Sequence, residues 1–76
     1  MTPNVTLDAC GLLCPLPVLK LRKRLKSLDV GALIALYADD PAAVIDVPHF
    51  CAESGHELIS SSDEAGVQTY LIRKAG

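Results

Sequence analysis

The thiol and imidazole chemistry open to this chain rests on five side chains: Cys10, Cys14, Cys51, His49 and His56. Cys10 and Cys14 lie in the run CGLLCPLP, residues 10–17. Cys14 stands directly ahead of Pro15, Pro17 and the strongest helical pattern in the sequence. Proline is tolerated in the first turn of a helix, where its missing N–H would have no intrahelical partner. Cys14 is therefore expected at or beside a helix N-cap. A helix N-terminus carries free N–H groups and about half a positive charge, and it stabilises an anion. A thiolate is such an anion, so the spacing predicts a Cys14 thiol more acidic than an ordinary cysteine and working as a nucleophile. Gly11 permits the chain to turn closely just ahead of it.

The other candidates read differently. Cys10 is either a resolving thiol that closes a disulfide with Cys14 or a small residue filling a loop. Cys51, near Val47 and Phe50, reads as a packing residue. A cysteine protease needs a histidine held beside its thiol by a third group. His49 and His56 are the only candidates, and both belong near the second helix or its end. The spacing of His49, Cys51 and His56 matches no standard zinc pattern. Asp39 and Asp40 precede Pro41 and read as a strand-end turn, with one of them capping the next segment. Transfer of a soft atom between thiols asks for less than hydrolysis: an exposed sulfur and a surface on which partners dock.

Seventy-six residues make one domain at most, residues 1–76. A chain this short buries only roughly 60% of its unfolded surface. Half of its residues are apolar, which suffices for a modest core. Three cysteines are an odd count and argue against a disulfide framework. The longest nearly apolar run, Val30–Ala38, has nine residues and is too short to span a bilayer. The start, MTPNVTLDAC, has no basic stretch followed by an apolar one, so no signal peptide is expected. Reduced thiols and a cytoplasmic setting are expected. The formal charge of −2 argues against bulk nucleic-acid binding. Lys20, Arg22, Lys23, Arg24 and Lys26 leave the rest of the chain with two basic residues against nine acidic ones. That basic run suits the negative end of a helix dipole and reads first as a solvated face. Lys20 and Arg24 are its candidates for docking acidic partners.

Periodicity sets the elements on which these residues sit. Val5–Asp8 alternates apolar and polar, as a half-buried strand does. From Pro15 and Pro17 onward, Val18, Leu21, Leu25 and Leu28 form one helical stripe, so the first helix is expected to run to about Leu28. Ala32–Ala38 is an apolar run of the kind found in an interior strand. Ala42–Ile45 looks like a helical turn. Asp46 and Pro48 then look like a fresh N-cap and first turn, for a second helix over Val47–Ser54 that is either separate or joined to that turn. Gly55 closes it. Glu57–Ser61 and Val67–Arg73 read as strands joined by the loop SSDEAG. The order βαβαββ predicts an α/β (α+β) two-layer sandwich: a four-stranded mixed sheet with two helices on one face, strands one and two being parallel.

The stretches LDACGLLCPLPV (7–18), GALIALYADDPAAVIDVPHFC (31–51), GHEL (55–58) and YLIRKAG (70–76) resemble the TusA/SirA-like family of small sulfur-relay proteins. The resemblance covers most of the chain in the right order, and it implies the same two-layer sandwich. It implies that Cys14 takes sulfane sulfur from a persulfide on a cysteine desulfurase or a rhodanese-like donor and hands it to a downstream acceptor protein. Pro15, Pro17 and Gly11 shape the thiol's surroundings in that reading. Thiolation of tRNA, sulfur oxidation, molybdenum-cofactor assembly and selenium metabolism are the family's end uses. Leu16 stands between the prolines where the tRNA-thiolation branch often carries an acidic residue. That makes the neighbourhood of the thiol less negative and more apolar. A monomer without cofactor or metal, without direct nucleic-acid contact and away from the membrane, is expected. Two other readings stay open: a redox switch using Cys10 and Cys14, and a non-catalytic module binding protein or RNA through the basic helix.

Overall fold

The computed structural model describes residues 2–76. Its elements run in the order β1 (Val5–Asp8), α1 (Leu16–Leu25), β2 (Leu33–Ala38), α2 (Ala43–Ser54), β3 (Glu57–Glu64) and β4 (Val67–Arg73). The strands form one mixed sheet in the order β1-β2-β4-β3. β1 pairs parallel with β2, while β4 runs antiparallel to both β2 and β3. This is the expected two-layer arrangement.

The apolar run of β2 is explained by its central place. Ile34, Leu36 and Ala38 face the helices, with Tyr70 and Ile72 of β4 in the same core. α1 contributes Leu21 and Leu25, and α2 contributes Ala43, Val47 and Cys51. Both helices thus cover one face of the sheet. Val5 and Leu7, the apolar positions of β1, pack against this core.

Four boundaries differ from expectation, the smallest being β2, which opens at Leu33 and not at Ala32. α1 ends at Leu25, because Ser27 and Leu28 donate to carbonyls three residues back (3.1 Å each), which tightens the last turn. Leu28 still packs against the core, so the apolar stripe outlasts the helix. α2 begins at Ala43, joined to the preceding turn, and Asp46 lies inside its first turn instead of capping it. Pro48 is interior, and its missing N–H would have met the carbonyl of Val44, an exposed residue. β3 runs on to Glu64 because backbone pairing with β4 needs no buried side chain. Residues 60–64 are all exposed and show no apolar alternation. The connection is only Ala65-Gly66, with φ of +52° and +86°, as a two-residue primed turn requires. Gly55 closes α2 in the left-handed region (φ +81°), as expected.

Leu21 is fully buried, whereas Leu13 is 69% exposed. Leu21→Ala is expected to cost about 2–5 kcal/mol in a urea melt, and Leu13→Ala no more than about 0.5 kcal/mol. Equal losses would show that the core is misplaced.

Candidate functional site

β1 and β2 are parallel, so the segments beyond their C-terminal ends lie side by side. The loop 9–15 leaves β1, and Asp39-Asp40 leaves β2. The first carries Cys10 and Cys14, and the second supplies the carboxylates that hold it. Gly11 N–H donates to Asp39 Oδ1 (2.9 Å), and Cys14 N–H donates to Asp40 Oδ2 (2.6 Å). Cys10 N–H donates to Asp8 Oδ1 (2.9 Å). Gly11 adopts φ +82°, the left-handed conformation expected of a tight turn.

Asp40 is itself well anchored. It is nearly buried, and its carbonyl accepts from Gln68 Nε2 (2.9 Å) and from Ala43 N–H (3.0 Å). Gln68 Oε1 accepts from Tyr70 O–H (2.6 Å). Asp40 Oδ1 also accepts from Ala42 N–H (3.3 Å), closing the turn ahead of α2. One residue of the Asp39-Asp40 pair therefore does cap the turn, and both also hold the cysteine loop.

The Cys14 side chain is exposed and donates its thiol to Asp46 Oδ2 at 2.8 Å. It lies in a groove of about 310 Å³ between the two helices, lined by Pro15, Val18, Asp46, His49, Phe50 and Glu53. His49 Nε2 pairs with Glu53 Oε1 at 3.0 Å. The expected thiolate cradle is absent, for a physical reason. Cys14 stands one residue ahead of the N-cap, which is Pro15, and the helix end offers few donors. Pro15 and Pro17 have no N–H, Leu16 N–H donates to Leu13 O (2.8 Å), and Cys14's own N–H is taken by Asp40. The hydrogen bond to Asp46, partial loss of water and the charges of Asp46 and Asp40 push the Cys14 thiol above the usual cysteine value. The surroundings are also more acidic than Leu16 alone suggests, because Asp46 and Asp40 arrive from elsewhere in the chain.

The remaining candidates fall elsewhere. Cys10 is exposed, and its thiol is likewise raised, by partial desolvation and then by Asp8 and Asp39. Cys51 is buried in the core, which pushes its thiol up to about 11. Pro17 is buried at the start of α1. Lys20 and Arg24 line a different groove, with Leu7, Lys23 and Ser27. Lys20 Nζ donates to the Asp8 carbonyl (2.5 Å) and Arg24 donates to Ser27. His56 is a structural residue: its Nδ1 accepts from Ala75 N–H (3.0 Å) and its ring tilts against Phe50. Among the described residues no three His, Cys, Asp or Glu side chains gather as a metal ion would need. None of the helices there is long and apolar enough to cross a membrane.

Sequence reasoning missed Asp46 as the thiol's partner and Asp39 and Asp40 as anchors of its loop. One signal was present for the latter pair: polar residues just past the C-terminal ends of adjacent parallel strands converge on one site.

These surroundings predict a slow thiol. The charged groups acting on Sγ are Asp46 and Asp40, and among the described residues the groove is lined by His49 and Glu53 but by no charged residue of α1. Because the thiolate is the reactive form, alkylation of Cys14 by iodoacetamide should rise with pH to a midpoint above that of free cysteine. Cys51 should react only after unfolding. A Cys14 midpoint below free cysteine, read by site-resolved mass spectrometry, would contradict the geometry.

The comparisons with known proteins agree with one another. The family described as "Sulfurtransferase TusA" matches residues 5–74. A protein named "Sulfur carrier protein TusA" from Pseudomonas putida is 45% identical over 73 residues, spanning 96% of this chain and 91% of that one. A crystal structure of a SirA-like protein from Desulfitobacterium hafniense superposes with a TM-score of 0.82 at 23% identity, covering 95% of this chain and 99% of that one. The last similarity speaks for the fold, and the first two speak for descent. The chain belongs to the TusA sulfurtransferase family.

Proposed function

We propose that this protein is a sulfur carrier in which Cys14 holds the cargo as a persulfide. The carrying observation is the placement of Cys14. Its backbone is tied to a nearly buried carboxylate, while its sulfur faces solvent at a groove with an apolar floor of Pro15, Val18 and Phe50. Loading is a thiol exchange. The Cys14 sulfur attacks the outer sulfur of a donor persulfide, and the donor's S–S bond breaks. The bonding pair leaves on the donor's inner sulfur, and the Cys14 proton goes to that sulfur or to water. No external oxidant or cofactor enters the balance. Unloading is the same step with Cys14 as the leaving group.

A cysteine desulfurase or rhodanese-like protein is the donor in this reading, and a downstream protein thiol is the acceptor. The end use is thiolation of tRNA or related sulfur trafficking. The cytoplasm, where thiols stay reduced, suits this chemistry. Exposed apolar residues flank both partners of the thiol contact along the chain: Leu13 and Leu16 beside Cys14, Val44 and Ile45 beside Asp46. Such residues favour protein docking. The carrier reading is favoured over a Cys10–Cys14 switch because the Cys14 thiol is turned to Asp46 of α2, whereas Cys10 is held at the end of β1 by its own N–H on Asp8.

Intact mass after incubation with a cysteine desulfurase, its pyridoxal cofactor and cysteine tests the proposal. One added sulfur, removed by reductant and missing only in Cys14→Ser, is the expected result. Sulfur retained by Cys14→Ser, or a loss of two hydrogens with no sulfur gained, would overturn it.

A further inference from the structure

We propose that Asp46 is a latch on the Cys14 sulfur, slowing both its capture of sulfur and its loss of sulfur to small thiols, so that cargo stays on the carrier between encounters. This rests on the carrier reading above. Its basis is geometric. Asp46 Oδ2 lies 2.8 Å from Sγ, on α2 and not on the cysteine's own loop. Asp46 is half-buried in the groove. Among the described residues, no basic side chain of this chain pairs with it. Its neighbour His49 contacts Glu53, and among the described residues Arg73 pairs with Glu57. On α1, Lys20 and Arg24 are turned to the Asp8 carbonyl and to Ser27, while Arg22 and Lys26 line a separate groove with His56 and Lys74. The carboxylate charge therefore acts on Sγ without internal relief.

The consequence has one sign in both directions. When Cys14 attacks, its thiol proton must first leave a carboxylate that favours the neutral form. Each unit by which a thiol is raised above its usual value cuts the thiolate tenfold but strengthens it as a nucleophile, a net slowing of about threefold near neutral pH. When a small thiolate attacks the outer sulfur of the Cys14 persulfide, the S–S bond breaks and its pair returns to Sγ. Negative charge then develops beside Asp46, and a more basic sulfur leaves more slowly. Sγ is reprotonated from water and again donates to Asp46. The exchange is redox-neutral and needs no co-reactant beyond the attacking thiol.

The test uses the full chain as the native form, Asp46→Asn, Asp46→Ala and Asp46→Glu. Each is alkylated with iodoacetamide across pH. Each is also loaded with inorganic polysulfide and then monitored by intact mass as glutathione removes the sulfur. In Asp46→Asn both rates at pH 7.5 should rise severalfold, and the alkylation midpoint should fall towards that of free cysteine. Asp46→Glu should restore slow behaviour in part. Protection of the buried Cys51 reports that each variant remains folded, and Asp46→Ala supplies the answer if Asp46→Asn loses that protection. Unchanged or slower rates with an unmoved midpoint would overturn the latch. Loading of Cys14 by a desulfurase together with that result would leave the carrier reading standing. A shifted midpoint in a chain that no desulfurase loads would remove the carrier reading instead.

Discussion

Asp40 is the residue on which the arrangement of the site depends. Four hydrogen bonds meet there: Gln68 and Ala43 donate to its carbonyl, and Cys14 and Ala42 donate to its carboxylate. Through Gln68 the chain of contacts reaches the Tyr70 hydroxyl in the core. A buried polar group without partners costs about 1–3 kcal/mol. Here no buried side-chain nitrogen or oxygen among the described residues lacks one. The same contacts that make burial of these groups tolerable also fix the height of Cys14 above the sheet. Packing and function are coupled at that point, because the loop cannot shift without leaving a buried carboxylate short of a donor.

The charge separation visible in composition becomes a spatial division. The basic residues of α1 are spent on its own end, on the Asp8 carbonyl and on a groove shared with His56 and Lys74. The carboxylates of Asp8, Asp39, Asp40 and Asp46 gather instead around the cysteine loop. Carboxylates in such a place favour the neutral thiol over the reactive thiolate. That suits a carrier better than a hydrolase, since a carrier must hold its sulfur away from water-borne thiols and release it to a docked partner. The exposed leucines beside Cys14 and the apolar floor of the groove add contact surface without adding reactive groups.

The chain's own order determined a good deal. The all-apolar β2 could only be interior, and the stripe of Leu21 and Leu25 could only face a core. Cys14 was marked by its prolines, Gly11 by its turn, and Cys51 by its apolar neighbours. Each of these signals is local: a period of two or 3.6 residues, or a residue type whose backbone preference is its own. Where local signals fell silent, the reading was short. The polar tip of β3 has no buried face and so no alternation, yet its backbone pairs to the end. Asp46 and Pro48 imitate a helix start, but the turn before them runs straight into α2.

Only the tertiary structure decided the chemistry of the thiol. Sequence placed Cys14 next to a helix end, and that neighbourhood by itself favours an anion. The fold brought Asp46 from 32 positions away and Asp40 from 26, and they favour the neutral thiol. The two effects differ in range along the chain but compete at one sulfur. The direct contact prevails because the prolines and the Leu13 carbonyl leave the helix end with few donors to offer. Periodicity places a residue on an element. Which distant carboxylate meets it depends on how two helices and a sheet pack, and that is a property of the folded chain alone.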